Sequence, residues 1–486
     1  MSSEELSAVE EPMLSLLTYY FFRSERERKR VERLVYRILH DRPLAIHGFF
    51  GEGKTRSAAL ATRRIVELSL RGKKESLEKI VIVFGAPLRR LRDEIHKRYF
   101  FDCGFKLMAH DEVCPALRTR LMGAKDKDYL MVLAEHVKND NCLYPDHVDA
   151  LKEALRKRYV IVTTHSLAFL ASLIARSLGL RIIIILDEAE DIVEKLGKGL
   201  DEDVVESIKS VDPNLYNKIR RMMKKEQSKY YMRFSTLRAV MKDAVLLSAT
   251  FPRTVSDNYD LLFGVELNTS WIFSFSRDVK DYMIIYRDKL LWKKYEKWKP
   301  LVLRQLVEIV RAGVDKHGVV GVVSRNYKMT QDIENVLKEL GYEVVSDLDP
   351  DFQSAISDSE VIILTTKGKL YRGVNILRQA GDVPLIIGFY QGMEPREHYP
   401  QFVKTLLDSA GESVFEMYVR EMTYAKNLQA LYRFIRRQTN SHIIVLFDWR
   451  FHEAFYHFFR NKLYERFVRV EVDDIEKMAD VAKQYI

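Results

Sequence analysis

The sequence predicts an α/β protein of two modules, each a parallel sheet flanked by helices, with a small insertion in the first. Three observations predict this. A glycine-rich phosphate loop stands between a buried strand and a helix at residues 45 to 60. Short apolar runs then alternate with helical stretches along the chain, as buried parallel strands with crossover helices do. Finally, 486 residues exceed the size at which one core usually keeps growing, so at least two domains are expected.

The stretch AIHGFFGEGKTRSAAL is the centre of the first module. Gly48, Gly53, Lys54 and Thr55 complete the pattern G-x-x-x-x-G-K-[ST], with Gly51 inside the loop. Leu44 to Ile46 reads as the strand before it and Ser57 to Leu70 as the helix after it. Such a unit turns backbone N–H groups and a helix start toward phosphates, while Lys54 adds a positive charge and Thr55 a hydroxyl for Mg2+. A chance glycine-rich turn does not put strand, loop, lysine, hydroxyl and helix in that order.

Composition fits an ATP-using protein with an anionic partner. Hydrophobic residues at 47% can fill large cores, and charged residues at 30% can cover a soluble surface. A net charge of +9 and a pI near 9.1 suit a nucleic acid, although a basic surface also serves solubility. Apolar runs long enough to span a membrane are absent and the start MSSEELSAVEEP is acidic, so a cytoplasmic protein without a signal peptide is expected. Three cysteines exclude a disulfide scaffold.

Taken in order, residues 9 to 40 read as helical, with Val31, Leu34, Val35 and Ile38 as the apolar stripe among interleaved charges. The aromatics Tyr19, Tyr20, Phe21 and Phe22 precede it and suit either the core or an adenine base. Ile80 to Phe84 reads as a second strand. Beyond Pro87, Arg89, Arg90 and Arg92 open a helix at the carboxyl end of that strand, where they would meet a phosphate backbone; a solvated charged helix is the plainer alternative.

Residues 101–158 break the strand-helix rhythm and read as an insertion. All three cysteines, Cys103, Cys114 and Cys142, fall in it. Their clustering points to a metal but does not complete a site, because a cubane cluster or a structural zinc takes four protein ligands.

Tyr159 to Thr164, followed by His165 and Ser166, is the expected third strand. Ile182 to Leu186 is the fourth, closed by Asp187, Glu188, Ala189 and Glu190. Behind a phosphate loop this acidic pair has a chemical use. Asp187 would hold the Mg2+ water shell opposite Thr55, and Glu188 would orient and deprotonate the attacking water. Acidic residues also cap helices, so the pair alone is a weak signal. Residues 192–240 form a charged helical insertion, and Ala244 to Leu247 is a fifth strand ending in Ser248, Ala249 and Thr250.

The first module is expected over residues 1–255 and the second over 256–486. In the second, Arg287 to Gly313 has a helical pattern that Pro300 is expected to divide into two helices. Val319 to Val323, Tyr342 to Val345, Val361 to Thr365, Pro384 to Gly388 and His442 to Phe447 read as strands, with helical patterns over Asp332 to Leu340 and about Val403 to Arg437. A second complete phosphate loop is absent, so one ATP site is expected. Gln429, Arg433 and Arg436 share roughly one helical face, either solvated or reaching across a cleft as arginine fingers do.

These motifs together resemble a superfamily 2 helicase of the XPD/DinG-type (Rad3-like) branch over nearly the whole chain. HGFFGEGKT resembles its Walker A motif, VIVFGAPLRRLRDEI motif Ia, LDEAE the DEAH box and LLSATFP motif III. VVGVVSRNYKMTQDI resembles motif IV, TTKGKLYRGVNI motif V, and QALYRFIR motif VI. The resemblance implies two RecA-like domains forming an ATP hydrolase and DNA helicase that tracks 5′ to 3′ along single-stranded or forked DNA, with ATP and Mg2+ as cofactors. It implies a nucleic-acid path near Arg89, Arg90, His165 and Gly368 to Arg372, and no membrane partner. A monomeric motor is expected.

Several positions depart from the family. Glu190 replaces the box histidine, Arg26 stands at the glutamine that precedes the Walker motif and so falls among the nucleotide-contacting residues, and Arg372 and Tyr432 replace a glutamate and a glycine. Family members with an iron-sulfur cluster hold it with four cysteines between motifs Ia and II. Here a 4Fe-4S cluster would need His110, His136 or Asp111 as its fourth ligand; structural zinc and metal-free thiols are the alternatives. The interval between Glu190 and Ala244 is too short for a full arch domain. The second functional reading is therefore a nucleic-acid-binding accessory ATPase of a repair or CRISPR-type defence complex, with protein partners and little unwinding. RNA remains open as the polymer.

Overall fold

The computed structural model describes residues 22–48, 53–70, 80–114, 117, 136, 142–190, 192, 240–271, 280–366, 383–393, 404, 407–435, 441–459 and 467–486. Gly51, Arg436, the segment Gly368 to Arg372, the aromatics Tyr19 to Phe21 and most of the 192–240 insertion lie outside them.

Two seven-stranded sheets, parallel throughout, carry the fold. The first contains β1 (Leu44–His47), β2 (Ile80–Ala86), β3 (Gly104–Lys106), β4 (Val160–Thr164), β5 (Arg181–Asp187), β6 (Ala244–Ser248) and β7 (Asn268–Trp271), in the order β3-β4-β2-β5-β6-β1-β7. The second contains β8 (Asp281–Tyr286), β9 (Val320–Ser324), β10 (Val344–Ser346), β11 (Val361–Thr365), β12 (Leu385–Gly388), β13 (Ile443–Leu446) and β14 (Phe467–Val472), in the order β10-β11-β9-β12-β13-β8-β14. Numbered from the start of each sheet, the two orders are the same. The duplication is thus one of topology, strand for strand.

The central strands are buried along their whole length, as expected of a sheet covered on both faces. They are also the strands that apolar runs predict. The short edge strands β3 and β7 and the strands β8 and β14 were not expected. The first three are short or interrupted by polar residues, and β14 (FVRVEV) is polar and partly exposed along its middle. β7 pairs with β1, Leu44 opposite Asn268, so the first sheet takes in residues up to Trp271.

Helices follow sequence rules with one exception. Ser24 caps the helix Glu25–His40, its hydroxyl accepting from the Glu27 amide at 3.1 Å, and Val31, Leu34, Val35 and Ile38 are its buried face. Pro300, however, lies inside a single helix, Trp292–His317, instead of dividing two. A proline there removes a backbone hydrogen bond and crowds the preceding turn, at a cost of about 3 kcal/mol. Tyr295 before it and Val302, Leu303, Leu306, Ile309 and Val310 after it continue one buried stripe, and burying each such side chain stabilises by about 1.5–3 kcal/mol, so packing outweighs the break.

The helix Val414–Tyr432 connects the two halves. Its Phe415, Tyr418, Val419 and Met422 pack in the first domain's core, and Tyr424, Leu428, Leu431 and Tyr432 in the second's. Both cores therefore depend on the placement of one helix.

Close approach of helix to sheet gives a test. At Gly313 a methyl group would overlap Leu385 of β12 and Val320 of β9. Gly313→Ala is expected to destabilise by about 1–3 kcal/mol, as overpacking of a filled core does. Urea unfolding monitored by circular dichroism measures this, and an unchanged midpoint would mean that the helix can shift away.

Candidate active site

β1 delivers the chain to Gly48, and the helix Lys54–Leu70 begins at the other end of the loop. Gly53 has φ of +79°, a left-handed conformation that a side chain disfavours, which explains glycine ahead of the lysine. Lys54 Nζ donates to the Gly48 carbonyl at 3.1 Å, so the cation spans the loop it serves. Thr55 Oγ1 lies 3.0 and 2.9 Å from the two carboxylate oxygens of Asp187 at the end of β5. The sequence places these residues 132 positions apart, and the fold brings them into hydrogen-bond contact.

Asp187 is buried, and its carboxyl is pushed up to about 7, first by burial and then by the charge of Glu188; the Thr55 hydrogen bond and Lys54 oppose the rise. Two neighbouring carboxylates in a poorly solvated pocket repel, and a bound cation relieves that repulsion. The geometry and donor chemistry fit Mg2+ held through Thr55 and Asp187. Glu188 follows with φ of +51°, an uncommon conformation for a residue with a side chain. Next to it the Ala189 amide donates to the Leu247 carbonyl at 3.0 Å, which fixes the turn against β6. His165 Nε2 bonds the Asp187 carbonyl oxygen at 2.7 Å from the other side.

Across the cleft stand residues of the helix Val414–Tyr432 and its C-cap. Arg433 Nη2 lies 3.7 Å from Glu188 Oε1, and Gln429 Nε2 donates to Glu190 Oε1. Thr250, after β6, donates to the same Glu190 oxygen at 3.4 Å. The residue that replaces the box histidine thus joins both domains. Glu190 is buried, and its carboxyl is pushed well above the usual range, by burial and then by the charge of Glu188. As a neutral acid it accepts from an amide without adding a further negative charge beside Asp187 and Glu188.

A cleft of about 300 Å3 lies between these groups, lined by Gly53, Lys54, Thr55, Asp187, Glu188 and, from the second domain, Gln429 and Arg433. Its remaining wall includes Glu94, Arg98 and Tyr99 of the helix Arg89–Tyr99.

Other expected residues fall elsewhere. Arg26 is exposed and does not line the cleft. Its neighbour Glu27 is buried instead and accepts from Arg56 Nε at 2.8 Å, buttressing the first turn of the phosphate-loop helix. Burial raises the Glu27 carboxyl, yet the Arg56 hydrogen bond and charge hold it below its usual range. Of the three arginines after β2, Arg92 is buried against Glu112 at 2.7 and 2.8 Å, and Arg89 pairs with Asp111 at 2.7 Å. Among the described residues Arg90, alone of the three, is exposed and makes no ion pair. His165, buried beneath Asp187, is a support of the acidic turn and not a polymer contact.

The cysteines separate. Cys103 is buried beside Arg63 at 3.5 Å in the first core, and burial pushes its thiol up to about 12. Cys114 and Cys142 instead converge with His110 and His136, their donor atoms all within 4.8 Å of one another. Burial pushes His110 down to about 4, which keeps its ring neutral. Asp111 is engaged by Arg89 and does not join them.

Glu421 was not anticipated. Buried in the bridging helix, it accepts from the Thr254 amide at 2.9 Å and pairs with His457 at 2.7 Å, tying the segment after β6 to the second domain. The signal available was a lone acidic residue within an otherwise apolar helix face.

No known family model matches the chain, and no curated protein matches its sequence. Solved structures do. A solved XPD helicase is 15% identical at a TM-score of 0.55, covering 92% of this chain and 99% of that one. S. tokodaii Xpd4 is 13% identical at 0.52, covering 92% and 100%. S. cerevisiae Dbp5 bound to RNA and ADP BeF3 is 16% identical at 0.45, covering 94% and 93%. The fold is that of tandem RecA-like domains. At such identities the likeness shows the fold and does not single out the XPD/DinG branch. Among the described residues no helix is long and apolar enough to cross a membrane.

The neutral Glu190 acid predicts a pH signature. In the folded chain it keeps its proton above the ordinary value of 4.5, whereas unfolded it ionises there, so it lowers stability as pH rises from 4.5 toward its folded value. Glu190→Gln removes this loss. Its melting temperature is expected to exceed the wild type's at pH 8, with the gap closing toward pH 4.5; a gap independent of pH would contradict a protonated Glu190.

Proposed function

We propose that this protein is an ATP-dependent motor acting on single-stranded DNA, an ATP hydrolase and helicase whose two domains close around one nucleotide. The observation that carries the reading is the convergence of Lys54, Thr55, Asp187 and Glu188 from the first domain with Gln429 and Arg433 from the second at a single cleft. Gly48, Gly51 and Gly53 shape the loop for the phosphates, and Lys54 neutralises their charge. Thr55 and Asp187 would hold Mg2+, which would supply Lewis-acid stabilisation of the transferred phosphoryl group. Glu188 takes the proton of the attacking water. Arg433, already beside Glu188, is placed to stabilise charge developing on the transferred phosphoryl group, and Arg436 follows in the same motif.

Cleft closure with ATP and opening after hydrolysis would shift the second domain's grip along a strand held across both domains. We place that strand over the carboxyl-end loops, with Arg90 as a phosphate contact and Gly368 to Arg372 as its counterpart in the second domain. Such backbone contacts give little sequence preference and strong salt dependence. The resemblance of the motifs supports 5′ to 3′ movement and a cytoplasmic monomer. A second reading, an accessory ATPase with little unwinding, is favoured by the short interval between Glu190 and Ala244, which leaves little room for a strand-separating domain.

Four variants test the mechanism by nucleotide affinity, single-strand affinity and steady-state ATPase. Lys54→Ala should abolish hydrolysis in a folded protein. Glu188→Gln and Arg433→Ala should bind ATP and lose hydrolysis by roughly 100-fold or more, as removal of a general base or a transition-state cation does. Arg90→Glu should weaken DNA binding and DNA stimulation while sparing basal hydrolysis. Full DNA-stimulated turnover by the Arg433 variant would exclude the cross-cleft role, and weak stimulation of the wild type would favour the accessory reading.

A further inference from the structure

We propose that His110, Cys114, His136 and Cys142 bind a single structural zinc ion, in place of an iron-sulfur cluster. The four residues come from separate parts of the insertion. His110 opens the short helix His110–Val113 and Cys114 caps its C-terminus, Cys142 stands two residues before the helix Tyr144–Arg156, and His136 lies between in sequence. Their donor atoms meet at one point. Cys114 Sγ and Cys142 Sγ are 3.9 Å apart, His110 Nε2 is 3.1 Å from Cys142 Sγ, and no pair exceeds 4.8 Å.

The spacings of 3.1 and 3.9 Å bracket those of one tetrahedral ion. Zinc binds thiolate at about 2.3 Å and imidazole at about 2.0–2.1 Å, which sets ligand atoms of a tetrahedron about 3.3–3.8 Å apart. A cubane cluster places its four protein ligands, ordinarily four thiolates, on four different irons around a larger body. Only two sulfurs are here. The third cysteine, Cys103, is buried beside Arg63 in another core cluster, so the set does not fit 4Fe-4S. Two thiolates with two imidazoles are a common donor set for structural zinc.

The surroundings support an ion. The Leu143 amide donates to Cys114 Sγ at 3.3 Å, an outer-shell contact of the kind that orients a sulfur ligand. Tyr144 stacks on the His110 ring with centroids 4.3 Å apart, fixing the ring plane as outer-shell partners of metal ligands do. The local apolar cluster around Cys114, Leu117, Tyr144 and Val148 is small, and small subdomains of this kind take a metal or disulfide as a staple.

The ion would therefore lock the helix His110–Val113 onto the helix Tyr144–Arg156. Asp111 and Glu112 on the clamped helix hold Arg89 and Arg92, so the clamp reaches the helix that lines the nucleotide cleft.

Metal analysis of the full chain, expressed with both iron and zinc supplied and purified without oxygen or chelator, tests this. About one zinc per chain, no iron and no acid-labile sulfide is the expected result. Cobalt exchanged into the site should give the visible absorption of tetrahedral Co2+ with thiolate charge-transfer bands. Cys142→Ser should lose at least tenfold in zinc affinity, measured with a competing chelator, while Cys103→Ser keeps the metal. Brown protein containing iron and sulfide, or colourless protein without stoichiometric metal, would overturn the proposal. So would octahedral cobalt spectra in the wild type, a readout that does not depend on any variant folding.

Discussion

The contact between Gln429 and Glu190, with Arg433 beside Glu188, is the constraint to which the rest of the chain is fitted. Both donors ride on the helix Val414–Tyr432 or its cap, and that helix is buried at one end in the first core and at the other in the second. It cannot move relative to either sheet without disturbing side chains such as Tyr418 or Leu428. A donor on a surface loop would reach the cleft at a high entropic cost. One on a doubly anchored helix is held there before the nucleotide arrives.

Electrostatics explain why the cleft needs the second domain. Asp187, Glu188 and Glu190 are three acids within four residues, two of them fully enclosed. Burial and mutual repulsion push Asp187 and Glu190 toward the neutral form, and Lys54, Thr55 and Arg433 act in the other direction on the carboxylates they face. A histidine in place of Glu190 would bring a donor to Gln429. The glutamic acid supplies an acceptor instead, and the amide nitrogen of Gln429 is the group turned toward it.

What could be read from the chain followed from local physics. A phosphate loop needs glycines at fixed spacing, and buried parallel strands need unbroken apolar runs, so the central strands and Lys54, Thr55, Asp187 and Glu188 were visible. What escaped depends on contacts distant in sequence. Arg92 looked like a solvated or phosphate-binding cation until the insertion placed Glu112 on it. Nothing local distinguishes Cys103 from Cys114 and Cys142; Arg63, from the phosphate-loop helix, stands beside the first, whereas His110 and His136 gather the other two. Pro300 misled for the same reason, because the stripe that overrides its helix-breaking tendency is completed only by the sheet beneath.

The two sheets share one strand order, yet only the first carries a glycine-rich phosphate-loop sequence. In the first, β1 runs into the glycine loop and the helix Lys54–Leu70. In the second, the equivalent β8 runs into Arg287 to Leu291, a segment without glycine, whose turn is held by Asp448 accepting from the Leu290 amide at 2.9 Å. Backbone amides that would face a phosphate are there committed to a side chain of the same domain. The second sheet has kept the geometry that presents a carboxyl-end surface to the first, and with it the helix that carries Gln429 and Arg433. On the proposed function, a single phosphate loop would give the pair of domains a direction, one holding the nucleotide and the other responding to it, an asymmetry that two equal sites would not provide.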